Sequence, residues 1–377
     1  MRWHYGPLPT TLLETLILVT VAGYAFMLWQ EKRLPQRTPY DVWIALWLVA
    51  GAIGVVVAPS LRSAAGTYRA YFVEAVAMYY IAVDLLRTRD DLRRFFGVTA
   101  LGAIGMSVGG IVLFAIVAAR HQIQLGDAPT FLYMTPNANA MYLEPPLAFA
   151  LAFVAFGWSR RQRLIAGAVL AIVFVEMLLT LSRGGYLAMA ALALVLIVYL
   201  PSRRLRLYTA GGLALAVFLV LEVPFIRDRL MTAGASALLR NSIYGQALKM
   251  LVQRPLFGAG IDGFTIRVKP FHPPAESVEL YPHNLWLTTW SEVGLLGLIV
   301  VTALLFILLW RGLRALRWTD ELFRPVLWGT VGSVVMIVVH GLFDSPLWKN
   351  DLSVEFWLIV ALQVVAIRGA KAVTRSP

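Results

Sequence analysis

Residues 281–310 read YPHNLWLTTWSEVGLLGLIVVTALLFILLW. From Leu285 onward this is an apolar run longer than the roughly twenty residues a helix needs to cross the hydrocarbon of a bilayer. Lipid offers backbone N–H and C=O groups no partner, so such a run is expected to span as a helix. Similar runs recur over about 9–29, 42–59, 66–86, 96–119, 141–158, 164–181, 186–200, 207–224, 325–343 and 352–367, which with 284–310 makes eleven. Hydrophobic residues are 59% of the 377 and charged residues only 14%, far from the balance of a soluble domain. The fold class expected is an all-α integral membrane protein, a single polytopic domain over 1–377. One long polar interruption, from about Phe225 to His283, is expected as an extracytoplasmic loop between the eighth and ninth spans.

The loops sort by Lys and Arg. Lys32, Arg33 and Arg37 lie in the first, Arg87, Arg89, Arg93 and Arg94 in the third, and Arg160, Arg161 and Arg163 in the fifth. Arg203, Arg204 and Arg206 in the seventh, Arg311, Arg314, Arg317 and Arg324 in the ninth, and Arg368, Lys371 and Arg375 in the tail continue the alternation. By the positive-inside rule the odd loops are cytoplasmic, which puts the N-terminus outside and the C-terminus in the cytoplasm. The net charge of +12 is therefore spent on orienting helices and touching anionic membrane lipids, and no nucleic-acid partner is expected. With no cysteine in the chain, disulfides, zinc-thiolate sites and cysteine nucleophiles are excluded. Trp29, Trp158, Trp310 and Trp348 stand near span ends, where aromatic anchors collect.

Polar chemistry concentrates at a few places on the expected outer side. Ser182-Arg183-Gly184-Gly185 separates two apolar runs so closely that the chain must turn there, with Ser182 placed to cap the next helix and Arg183 to open it. Such an N-terminus could hold a phosphate through its amides, its dipole and the guanidinium; a tight turn with a snorkelling arginine would look the same. In the long loop Leu239, Ile243, Ala247 and Leu251 recur every fourth residue, marking an amphipathic helix with Arg240 and Asn241 at its start. Two guanidiniums at helix starts could clamp one pyrophosphate. Gly258-Ala259-Gly260-Ile261-Asp262-Gly263 matches G-x-G-x-x-G, but it lacks the strand before it and the crossover helix after it, and reads as a turn.

His283-Asn284 opens the ninth span after a stiff approach through Pro270, Pro273, Pro274 and Pro282. An imidazole at the water–lipid boundary can accept a proton near neutral pH, and it could equally serve as a cap. Glu292 lies inside the same span beside Gly294 and Gly297, and reads as a link between helices. His340 and Asp344 share a face at i, i+4; two ligands do not make a metal site, and Asp344 could instead orient an arginine. Glu14, Glu74, Asp84, Glu144, Glu176 and Glu222 lie in or beside spans with no assigned role.

Taken in order, Thr135-Pro136-Asn137-Ala138-Asn139, Ser182-Arg183-Gly184-Gly185, Arg240-Asn241-Ser242-Ile243-Tyr244, Pro255 to Gly260, Pro282-His283-Asn284 and Glu292 to Gly297 resemble the O-antigen ligase and O-antigen polymerase superfamily of bacterial membrane glycosyltransferases. The resemblance covers about residues 130–350. It implies an undecaprenyl-pyrophosphate-linked glycan as donor, a glycolipid or glycan as acceptor, no cofactor, no required metal and a place in the bacterial inner membrane. It also implies roles: Arg183 and Arg240 grip the pyrophosphate, His283 activates the acceptor hydroxyl, and Ser182, Gly184, Asn137, Asn284 and Asp344 contribute to substrate binding. The chain departs from the family pattern in having eleven spans rather than twelve and Thr135 where an asparagine is common. Ligation to lipid A core, polymerisation of repeat units and transfer to a protein hydroxyl share this donor chemistry. A flippase for the same lipid would show internal repeats and polar residues at mid-membrane, and neither is evident.

Overall fold

The computed structural model describes residues 2–5, 8–120, 122–123, 128–199, 202–222, 227–228, 233–273 and 279–373. Phe225, the expected start of the long loop, the last residues of the seventh and eighth apolar runs, Pro274 and Arg375 lie outside the described residues. A short antiparallel hairpin, β1 (Arg2–Tyr5) and β2 (Leu8–Thr11), precedes an otherwise helical chain.

Helices cover most of the described residues of every apolar run. These are α1 (Leu12–Gln30), α2 (Asp41–Val56), α3 (Leu61–Tyr68) continuing through a π-helical turn (Arg69–Val73) into α4 (Glu74–Leu85), α5 (Arg89–Ala119), α6 (Pro136–Phe156), α7 (Arg160–Leu179), α8 (Arg183–Tyr199) and α9 (Arg203–Glu222). After the loop helix α10 (Ala233–Gln253) come α11 (Leu285–Ala315), α12 (Arg324–His340) and α13 (Asn350–Val373). Among the described residues, six of them, α1, α5, α6, α7, α11 and α13, are long and apolar enough to cross a membrane by themselves, and α2, α8 and α12 are shorter apolar helices. The protein is an all-α, multi-pass membrane protein.

Two compact units divide the chain. The first holds Met1–Thr88, Ile243–Ile307 and Leu347–Arg368; the second holds Arg89–Ser242, Leu308–Pro346 and Gly369–Pro377.

In the second unit α6 packs against α7, α8 and α12. Its core joins Ala140, Leu143, Leu147, Val173, Met177, Leu192 and Met336, all buried. Small residues make the close approaches: a Cβ at Gly329 would lie 2.0 Å from the Phe149 ring, and one at Gly332 would lie 2.8 Å from Leu192. Thr135 caps α6 by accepting from the Ala138 amide, and Pro136 suits the first helical position, where no N–H is needed.

The first unit is tied by ionic groups where the sequence left carboxylates unassigned. Glu14 and Glu74 both pair with Arg69, at 3.0 and 3.1 Å, and Asp84 pairs with Arg33 and Arg87 at 2.7 and 2.6 Å. Carboxylates are costly in lipid without such partners. Trp348 departs from the interfacial-anchor expectation. It is buried against Trp47 and Phe72, and its indole N–H donates to Thr289 at 3.2 Å, which makes it a core residue with a satisfied polar tip.

The glycine-rich segment is the turn that the sequence indicates. Gly258 and Gly260 have φ of +62° and +81°, and a Cβ at Gly258 would lie 2.3 Å from the Trp290 carbonyl oxygen. The segment fits into a break in α11, where Gly294 has φ of +70° and the Leu295 amide donates to Leu256. Glu292, just before the break, accepts from the Asp262 amide at 2.6 Å, while the Asp262 carboxylate accepts from Ser63 and Thr67. Arg267 completes the clamp by donating to the carbonyls of Ala259 and Val57. Burial, and then the like charge of Arg254, hold its guanidinium below the usual arginine range. Glu292→Ala removes the acceptor of the Asp262 amide and is expected to cost about 0.5–1.5 kcal/mol, whereas Glu292→Gln keeps an acceptor and should lose less. Unfolding midpoints of the detergent-purified variants measure the difference.

Candidate functional site

The second unit joins three of the sequence-predicted site residues in one hydrogen-bonded chain and places a fourth beside it. Ser182 caps α8: its hydroxyl oxygen accepts from the Gly185 amide at 3.2 Å, and the same hydroxyl donates to Asn137 Oδ1 at 2.8 Å. The Asn137 amide in turn donates to Asp344 Oδ2 at 2.9 Å, and the other Asp344 oxygen accepts from the Ser345 amide at 2.8 Å. Asn137 stands in the first turn of α6, Ser182 just before α8 and Asp344 just past α12, so three helix ends are fastened together. Gly184, the fourth, lies in the first turn of α8 against His340.

Arg183 opens α8, as its place after Ser182 predicts, at a helix end whose first-turn amides and dipole favour an anion. Leu181, two residues earlier, is buried with φ of +54°, a conformation a bulky side chain rarely adopts. The backbone is thus strained where Ser182 and Arg183 are presented, and such strain concentrates at functional sites.

Arg240 corrects an expectation. It does not stand at the start of a helix, because α10 begins at Ala233, two turns earlier. Ala233-Gly234-Ala235-Ser236-Ala237-Leu238-Leu239 is rich in Ala and Leu, strong helix formers that extend the helix upstream of the amphipathic stripe. No helix dipole assists Arg240. Its guanidinium sits 6.0 Å from the centre of the Phe343 ring, the neighbour in sequence of Asp344.

His340 and Asp344, spaced i, i+4, take different partners. His340 Nδ1 lies 2.5 Å from Glu144, and Asp344 takes Asn137. A second buried pair joins Asn139 to Glu176 at 2.7 Å, with Gly110 giving the carboxylate room: a Cβ there would fall 2.0 Å from Glu176 Oε1. Sequence reasoning left Glu144 and Glu176 unassigned. The signal available was their cost in lipid, which demands a partner without naming it.

The first unit holds His283 and Asn284. Asn284 caps α11, its side-chain oxygen accepting from the amides of Trp286 and Leu287 at 3.0 Å each. His283, half-buried, has φ of +53° and lies against Tyr281, the rings tilted by 45° with centres 4.5 Å apart. Its Nε2 lies 3.4 Å from Glu279, and its carbonyl accepts from the Tyr244 hydroxyl at 3.1 Å. Tyr244 belongs to the part of α10 whose apolar stripe, Ile243, Ala247, Met250 and Leu251, is buried against Ala259, Phe264 and Val268. That stripe therefore packs on protein. Leu248 and Val252 are the exposed apolar residues of this stretch.

Residues 168–302 match the family model described as O-antigen ligase. The matched stretch contains Ser182, Arg183, Gly184, Arg240, His283 and Asn284; Asn137 and Asp344 fall outside it. No curated protein matches the chain. The family match supports the resemblance that the motifs carry.

Proposed function

We propose that this chain, as a member of the O-antigen ligase and polymerase superfamily, transfers a glycan from undecaprenyl pyrophosphate to an acceptor hydroxyl, with lipid A core as the acceptor. The reaction would take place at the outer face of the bacterial inner membrane, with the N-terminus outside and the C-terminus in the cytoplasm. The acceptor oxygen attacks the anomeric carbon and inverts it. The bond from that carbon to the pyrophosphate oxygen breaks, its electron pair leaves with the lipid pyrophosphate, and the acceptor proton passes to His283. Arg183 and Arg240 neutralise the charge that grows on the leaving group. Ser182, Gly184, Asn137, Asp344 and Asn284 contribute to substrate binding. Pyrophosphate is a good leaving group, so the proposal needs no metal ion.

The observation that carries the reading is the Ser182–Asn137–Asp344 chain at the strained entry to α8. Its polar contacts fasten the helix end that displays Arg183, as a preorganised anion site requires. Ordinary span-end packing does not call for three polar side chains from separate helix ends.

Product sizing tests it. Purified protein given an undecaprenyl-pyrophosphate glycan together with lipid A core should add a single chain to the core. A ladder of longer glycans formed without core would make the enzyme a polymerase of the same superfamily instead, and unchanged donor in both reactions would remove the transferase reading.

A further inference from the structure

Two fully buried side chains have no part in the transfer chemistry, and they meet each other. His340 Nδ1 lies 2.5 Å from Glu144 Oε1, and neither side chain is exposed. The opposite edge of the imidazole faces α8. A Cβ built on Gly184 would fall 2.6 Å from both Cδ2 and Nε2 of His340. Gly184 is an ordinary helical residue, so its backbone would accept alanine; the imidazole is what forbids a side chain there.

The elements repeat in register. On α6, Asn137 and Glu144 are seven residues apart, two turns along one face. His340 and Asp344 are four apart at the end of α12. These pairs form two polar rungs. The Asn137–Asp344 rung bonds Ser182, and the Glu144–His340 rung abuts Gly184, with Arg183 between the two contact points in sequence.

We propose that His340 and Glu144 are positioning residues for Arg183: the carboxylate pins the imidazole, and the imidazole sets the height of the first turn of α8. The proposal rests on Arg183 being a pyrophosphate ligand. Because the ring is tethered and enclosed, it cannot swing aside for a methyl group without giving up Glu144. An alanine at 184 would therefore displace the helix end rather than the ring. Misplacing a catalytic group by about 1 Å costs on the order of 10²-fold in rate.

The test compares detergent-purified, full-length wild type, Gly184→Ala, His340→Ala and the double variant. Both kcat and KM for transfer from the polyprenyl-pyrophosphate glycan are measured, together with unfolding midpoints. Gly184→Ala is expected to lower kcat by about 10²-fold. The double variant, with the ring removed, should regain at least about tenfold of that loss. Glu144→Gln should keep more activity than Glu144→Ala, because the glutamine side-chain oxygen can still accept a hydrogen bond from Nδ1–H. A Gly184→Ala enzyme of wild-type rate, or losses that simply multiply in the double variant, would overturn the proposal. Coupled midpoints with unchanged kcat throughout would leave a packing contact and refute the positioning role. Should the wild type itself transfer nothing, the transferase reading fails and the positioning role with it, while the midpoints still decide whether Gly184 and His340 touch.

Discussion

Arg183→Ala should lower transfer by a factor of about 10² to 10³ while the protein inserts and folds as the wild type does. The magnitude follows from where charge develops. In the ground state the pyrophosphate already carries negative charge, and as the glycosidic bond breaks more accumulates on the leaving oxygen. A guanidinium held in place beforehand gains from that increase without reorganising. Three facts make Arg183 such a group: it opens α8, its entry is fixed by the Ser182 cap, and that cap is bonded onward to Asn137 and Asp344. Arg183→Lys should recover little, because a point-charge ammonium cannot reproduce a bidentate grip on two phosphate oxygens. Arg240→Ala is expected to fall in the same range. Since Arg240 lies in the interior of α10 and gains nothing from a helix dipole, its effect should depend on the guanidinium alone. Rates at saturating acceptor, measured alongside membrane insertion, separate loss of chemistry from loss of protein.

His283→Ala should lower kcat by about 10² or more, up to the 10⁴ that positioned acid–base catalysis can supply. The side chain is half-buried rather than enclosed, and it stands at the entrance of α11 with Asn284 spending its side-chain oxygen on the cap. A left-handed backbone at His283 costs roughly 1 kcal/mol or more, so the surrounding contacts must enforce it. The Tyr244 hydroxyl on its carbonyl is one such contact. If His283 served only as part of the helix entrance, alanine would lower the unfolding midpoint and leave kcat nearly intact. The proposed base role predicts the reverse pattern, a large kcat loss with a small change in midpoint.

The spans could be read because their signals are one-dimensional. Apolar length, lysine and arginine placement and the Ser182 cap all depend on neighbours in sequence, and helix covers most of the described part of each predicted run. The G-x-G-x-x-G pattern was likewise separable from a dinucleotide site by its missing context, and its glycines prove to fit the break in α11. What the sequence could not show was pairing over distance. Ser182 and Asn137 are 45 residues apart, Asn137 and Asp344 are 207 apart, and Glu144 and His340 are 196 apart. The cost of a carboxylate in lipid announced that Glu144 needed a partner, but helix packing chose which one. The start of α10 was misread for a different reason. An Ala- and Leu-rich stretch ahead of an amphipathic stripe has high helix propensity and no periodicity of its own.

The most direct measurement follows the fate of the lipid carrier. Purified protein, an undecaprenyl-pyrophosphate glycan and lipid A core are combined without any nucleotide sugar, and free lipid pyrophosphate is counted against glycan joined to core. The account predicts one carrier released for each glycan transferred. Glycan that stays on its carrier, with no lipid pyrophosphate released, would contradict the account.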